Sequence, residues 1–154
     1  MVMIRMATID DIDSLVKLRI MLLNEANNNI KNYDWDQYSE VLKKFYYDSL
    51  PSGKTIAFLL VVDGDVVAIS MICLYYITPS LYNLDGKMAL LTDMYTIVQY
   101  RNKGYGMSLL KDIIEYVKNR GYGKVVLNAT ESGRKLYEKY GFKDVNGQMS
   151  FKFK

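Results

Sequence analysis

The chain has 154 residues, enough for one domain with a sizeable core, and its 50% apolar and 24% charged residues are ordinary for a globular protein. Twenty basic against seventeen acidic residues give a net charge of +3, too mild and too dispersed to argue for a nucleic-acid partner. Histidine is absent and Cys73 is the single cysteine, which excludes Ser-His and Cys-His nucleophile pairs, an internal disulfide framework and thiolate-rich metal sites; no metal is expected.

Val2 to Met6 reads as a strand. Thr8 offers a helix N-cap, with Asp11 three residues on in capping-box fashion. Ile12, Leu15, Val16, Leu22, Leu23 and Ala26 then recur at helical spacing, with Arg19 on the same face as either the partner of a buried carboxylate or the border of a cleft. Asn27-Asn28-Asn29 ends this helix. Asp34 caps a second helix, with Tyr38, Val41, Leu42, Phe45 and Ser49 on one side and Pro51-Ser52-Gly53 as its stop.

Strands are expected over Thr55–Val62 and Val66–Ile77, joined as a hairpin through Asp63-Gly64-Asp65. Both are nearly continuously apolar, so the sheet is covered on both faces, and Cys73 within the second reads as a buried structural thiol. After a loop from Thr78 to Lys87 come a strand, Met88–Val98, and a helix, Met107–Arg120, with Gly121 as its C-cap. Lys124–Asn128 reads as a strand, and Thr130 or Ser132 starts a helix that runs to Tyr140. Phe142–Val145 and Gln148–Phe153 read as closing strands around Asn146-Gly147, the last suited to pairing across a homodimer.

The order is β-α-α-β-β-β-α-β-α-β-β, an α/β (α+β) fold in one domain over 1–154 with a mixed sheet. No stretch is long and apolar enough for a membrane span and no signal-peptide pattern leads the chain, so no membrane partner is expected; the lone cysteine suits a reducing cytoplasm.

Arg101-Asn102-Lys103-Gly104-Tyr105-Gly106 joins the fourth strand to the third helix. A Gly-rich turn at a helix start leaves main-chain N–H groups uncovered beside the positive end of the helix dipole, a combination that binds phosphate. Alone, it reads equally well as a solvated turn. A dinucleotide site is disfavoured because such a loop belongs after the first strand of a parallel unit, and Gly106-Met107-Ser108 lacks the lysine of a P-loop.

With this Arg-x-x-Gly-x-Gly, a second segment, Leu136-Tyr137-Glu138-Lys139-Tyr140-Gly141-Phe142, resembles the Leu-Tyr-Glu-Lys-x-Gly-Phe ending of the GNAT family of acetyl-CoA-dependent N-acetyltransferases. The resemblance covers essentially the whole chain. It implies a central, mostly antiparallel sheet with helices on both faces, whose parallel fourth and fifth strands splay apart. It implies acetyl-CoA as cosubstrate, its diphosphate on the amides of Asn102 to Met107 with Gly104, Tyr105 and Gly106 among them. Arg101 and Lys103 are then adjuncts, Met94, Tyr95 and Thr96 pair with the pantetheine arm, and Asn128 completes the coenzyme contacts.

The reaction so implied is direct attack by a primary amine, on a small molecule or a peptide, in a ternary complex. Tyr137 matches the family's general acid; as residues alone, it reads first as a packing tyrosine. Asp93 and Glu25 are the candidate bases, with a chain of waters as the alternative, and Tyr75, Tyr76 and Tyr82 are candidates for lining the acceptor site. The acceptor cleft is expected between the first two helices, the Thr78–Lys87 loop and the C-terminal hairpin. A non-catalytic acetyl-CoA-binding sensor or regulatory module fits the same coenzyme motif; Tyr137 favours the enzyme.

Overall fold

A computed structural model describes residues 1–27, 30, 32–145 and 147–153. One five-stranded sheet runs in the order β1 (Val2–Met6), β2 (Thr55–Val62), β3 (Asp65–Tyr76), β4 (Lys87–Thr96) and β5 (Val125–Leu127). β4 and β5 are parallel, and the other neighbours are antiparallel. Helices α1 (Ile12–Ala26) and α2 (Trp35–Ser49) lie between β1 and β2, α3 (Tyr105–Asn119) joins β4 to β5, and α4 (Glu131–Tyr140) follows β5.

The apolar strands are explained by cover on both faces. Along β2, Ala57, Leu59 and Val61 pack with α1 and α2, whereas Ile56 and Leu60 lie with residues of α3. The α3 row Leu109, Leu110, Ile113 and Val117 is fully buried. Asp63 (φ 50°) and Gly64 (φ 94°) are both left-handed, the backbone that a two-residue hairpin demands and that Asp-Gly supplies cheaply.

Three expectations need correction. Val41 and Phe45 are exposed, because α2 buries the row Leu42, Tyr46 and Ser49 instead. Cys73 is half-buried, its Sγ 3.9 Å from Thr55 Oγ1. The closing strands Phe142–Val145 and Gln148–Phe153 do not form among the described residues. The N–H of Phe142 donates to Tyr137 O at 2.9 Å and its ring packs edge-on against Tyr137 and tilted against Tyr140, so the segment leaves along α4 instead of entering a ladder. Alternation alone makes no strand without a paired edge, and Met149, Phe151 and Phe153 stand exposed. Asn28, Asn29 and Asn146, which the sequence places in turns, lie outside the described residues.

The entry to α1 is fixed by charge. Asp11 closes a capping box with Thr8 and takes two hydrogen bonds from Arg5, at 2.7 and 2.8 Å. Arg5 holds the Asp11 carboxyl below its usual range against the opposing effect of burial. A carboxylate lowered in the folded state stabilises above its unfolded pKa of about 3.9 and loses that contribution as pH falls through its lower folded value. Asp11→Ala is expected to cost about 1–2 kcal/mol in urea unfolding at pH 7, with the difference from the parent shrinking below about pH 4.

Candidate active site

The site begins with one extra residue in β4. Ile72 pairs with Leu91 and Met71 with Asp93, so Thr92 bulges from the ladder. The bulge reverses which face the odd-numbered residues meet. Ala89 and Leu91 pack with α3, but Tyr95 packs with α1 and α2. Pairing with β5 stops at the same place, at Leu91 opposite Leu127. From Asp93 to Thr96 the strand is paired only with β3, so its other edge offers main-chain N–H and C=O groups to the gap.

That gap opens into a cleft of about 910 Å³ between the end of α1, β4, the Gly loop and α4. Met94, Tyr95, Thr96, Arg101, Asn102, Tyr105, Gly106, Glu25 and Tyr137 all line it. Of the remaining predicted coenzyme residues, Lys103, Gly104 and Met107 belong to the same loop and helix start, and Asn128 lines a second cavity of about 1000 Å³ on the β5 side. Lys103 Nζ lies 5.4 Å from the Tyr100 ring centroid.

The loop is built to expose amides. β4 ends at Thr96, a 3-10 turn covers Val98–Tyr100, and Asn102 (φ 61°) and Gly104 (φ 80°) adopt left-handed backbone. Gly104 is the N-cap of α3 and provides no side-chain cap, so the helix keeps its first N–H groups free of one. A diphosphate fits this loop on that ground: the first N–H groups of α3 have no side-chain cap, and the space beside Gly104 is open.

Tyr137 stands where the two cavities adjoin, lining both. Burial, then the charge of Asp93, pushes its phenol up to about 12. Gly133 lies one turn earlier on α4, where a Cβ would meet the Tyr137 ring at 3.1 Å and Thr130 Oγ1 at 3.2 Å. Its role escapes a single-sequence reading, although glycine four residues before a site tyrosine on a helix is the available signal.

The two carboxylates proposed as bases are each bound by an arginine. Asp93 has a fully buried side chain, and its Oδ1 pairs with Arg19 Nη1. Its Oδ2 has no hydrogen-bond partner among the described residues. Burial drives the Asp93 pKa up, with Arg19 opposing. Arg19 also donates from Nε to Tyr38 Oη at 2.9 Å. Glu25 takes two hydrogen bonds from Arg101, at 2.8 and 2.6 Å, which hold its carboxyl below the usual range. Tyr75 lines the β5-side cavity, while Tyr76 and Tyr82 are exposed, Tyr82 almost completely at 98%.

Among the described residues, no group of three or more His, Cys, Asp or Glu side chains is placed to hold a metal, and no helix is long and apolar enough to cross a membrane.

The arrangement has known counterparts. A predicted acetyltransferase from Clostridium acetobutylicum, solved with acetyl-CoA, superposes with a TM-score of 0.91 at 25% identity, covering 99% of this chain and 96% of that one. A GCN5-related N-acetyltransferase from Ralstonia eutropha JMP134 shares the fold with a TM-score of 0.88 at 21% identity over 99% of both chains. Over 50 residues the chain is 38% identical to glucosamine 6-phosphate N-acetyltransferase of Trypanosoma brucei brucei, a match that spans 32% of this chain and 34% of that relative's length. The profile of the Acetyltransferase (GNAT) family matches residues 21–142, and with the parted parallel strands and the Gly loop this places the chain in the GNAT acetyltransferase family.

Proposed function

We propose that this protein transfers an acetyl group from acetyl-CoA to a primary amine by direct attack in a ternary complex. The observation that carries the reading is the convergence of three features on one cleft: the amide nest, the unpaired edge of β4 and the Tyr137 phenol. Bound there, acetyl-CoA supplies an activated thioester. Along that edge the main-chain groups of Met94 and Thr96 alternate toward the gap with Tyr95 between them, Thr96 O being held by Arg101, and the strand suits an extended pantetheine arm, added as a strand is added to a sheet edge. In this reading a gap-facing N–H beside Tyr95 stabilises negative charge on the thioester oxygen.

Tyr137 is the hydrogen-bond donor to the departing sulfur. With its pKa near 12 the phenol is fully protonated at neutral pH. It is a weaker acid than a thiol, whose pKa is about 8.5. Its contribution is therefore a hydrogen bond to sulfur as charge develops; the thiolate leaves and takes its proton from solvent water, which receives the one that the attacking nitrogen sheds.

That nitrogen's proton leaves through water in this reading, because Asp93 is buried against Arg19 and Glu25 is held low by Arg101. The curated relative acts on glucosamine 6-phosphate; a small amine of that kind, or a peptide amine, is the acceptor class we assign.

Calorimetry should show acetyl-CoA binding to the wild-type chain, and an amine panel should show amine-dependent thiol release. Binding without any turnover would instead favour the sensor module. Tyr137→Phe is expected to lower kcat about 10²-fold with coenzyme affinity nearly unchanged. Because the phenol loses its proton only as pH rises toward about 12, kcat should show no fall assignable to Tyr137 up to about pH 10. Asp93→Asn should cost about 3 kcal/mol in denaturant unfolding, the low end for breaking a buried pair because Arg19 keeps some solvent contact; wild-type stability in that variant would remove the pair's structural role.

A further inference from the structure

The first residue of the Gly-loop motif points away from a phosphate-binding role. Arg101 Nε donates to Thr96 O at 2.8 Å, and its two terminal nitrogens are both taken by Glu25. Its guanidinium lies 5.4 Å from the Tyr95 ring centroid. The side chain is thus held by the last residue of β4, by a ring on β4 and by the C-terminal end of α1. It is also the residue immediately before the left-handed pair of turns at Asn102 and Gly104.

We infer that Arg101 and Glu25 form a latch that ties α1 to the coenzyme loop, making both positioning residues. The inference rests on the coenzyme reading above. Asn102, next to Arg101, adopts a left-handed backbone that a free non-glycine residue populates little, and fixing Arg101 pre-orders it. An unlatched loop would have to lose that freedom on binding, so affinity would fall. α1 also forms a wall of the cleft through Leu22, Glu25 and Ala26, so the latch sets the spacing between that wall and the amide nest.

A phosphate-binding arginine predicts the opposite sign. If Arg101 served the diphosphate, Glu25 would compete for it and repel the ligand, and Glu25→Gln would tighten binding. The latch predicts that Glu25→Gln weakens it.

The test is calorimetric titration of coenzyme A into the wild-type chain, Glu25→Gln, Arg101→Gln and the double variant, with thermal melting of each free protein as the check on folding. The pair is part-exposed on both sides, so the free proteins should melt within a few degrees of one another. The expected result is a loss of about threefold to tenfold in affinity for Glu25→Gln, a similar or larger loss for Arg101→Gln, and a double variant no worse than Arg101→Gln alone. Tighter binding by Glu25→Gln, or losses that add in the double variant, would overturn the latch while leaving the coenzyme site standing. No binding by the wild-type chain would overturn the reading beneath it as well. A readout that simple surface loss would not move is the acceptor KM: the latch predicts that Glu25→Gln raises it, because the α1 wall is released.

Discussion

The parting of β4 from β5 at Thr92 is the constraint on which the rest of this structure depends. A sheet interior normally satisfies every main-chain group with a neighbouring strand. Here the ladder with β5 covers only Ala89 to Leu91, and the bulge follows at once. The next four residues have no strand on that edge, which faces the cleft and where Thr96 O is held by Arg101 instead. The same bulge sends Asp93 and Tyr95 toward α1 instead of α3, which brings Asp93 to Arg19. One inserted residue thus makes both the cleft and the buried ion pair behind it.

The two arginines of the site act on architecture. Arg19 reaches Asp93 and Tyr38, joining α1, α2 and β4 behind the cleft. Arg101 reaches Glu25 and Thr96, joining α1 to the loop in front of it. Both are charge-assisted pairs, but they differ in energetic weight. The first is desolvated, so removing one partner would strand a charge. The second is part-exposed and contributes modestly to stability; its value is in restraining a loop of unusual backbone.

Much of the fold was legible because its signals are local. Thr8 with Asp11, Asp34 and Gly121 marked helix ends, and each holds that position in the structure. Asp63-Gly64 specified a hairpin because few residue pairs accept its backbone. α3 starts at Tyr105, two residues before the Met107 that the glycine pair suggests, because only Gly104 is left-handed and Gly106 is helical. The closing strands failed for a non-local reason: Met149, Phe151 and Phe153 alternate correctly, yet Phe142 is drawn to α4 and no ladder follows among the described residues.

For the site, residue types and spacing by themselves placed a Gly-rich turn before the third helix, Tyr137 on the last helix and the elements in order as far as α4, because glycine backbone freedom and hydrophobic periodicity are properties of short segments. Which carboxylate faces which arginine was decided only by tertiary structure. Asp93 lies 74 positions from Arg19, and Glu25 lies 76 from Arg101. Such pairings depend on strand register and on a bulge that shifts it by one residue. A one-residue shift turns every following side chain to the opposite face of the sheet, and no local pattern in the chain announces where it occurs.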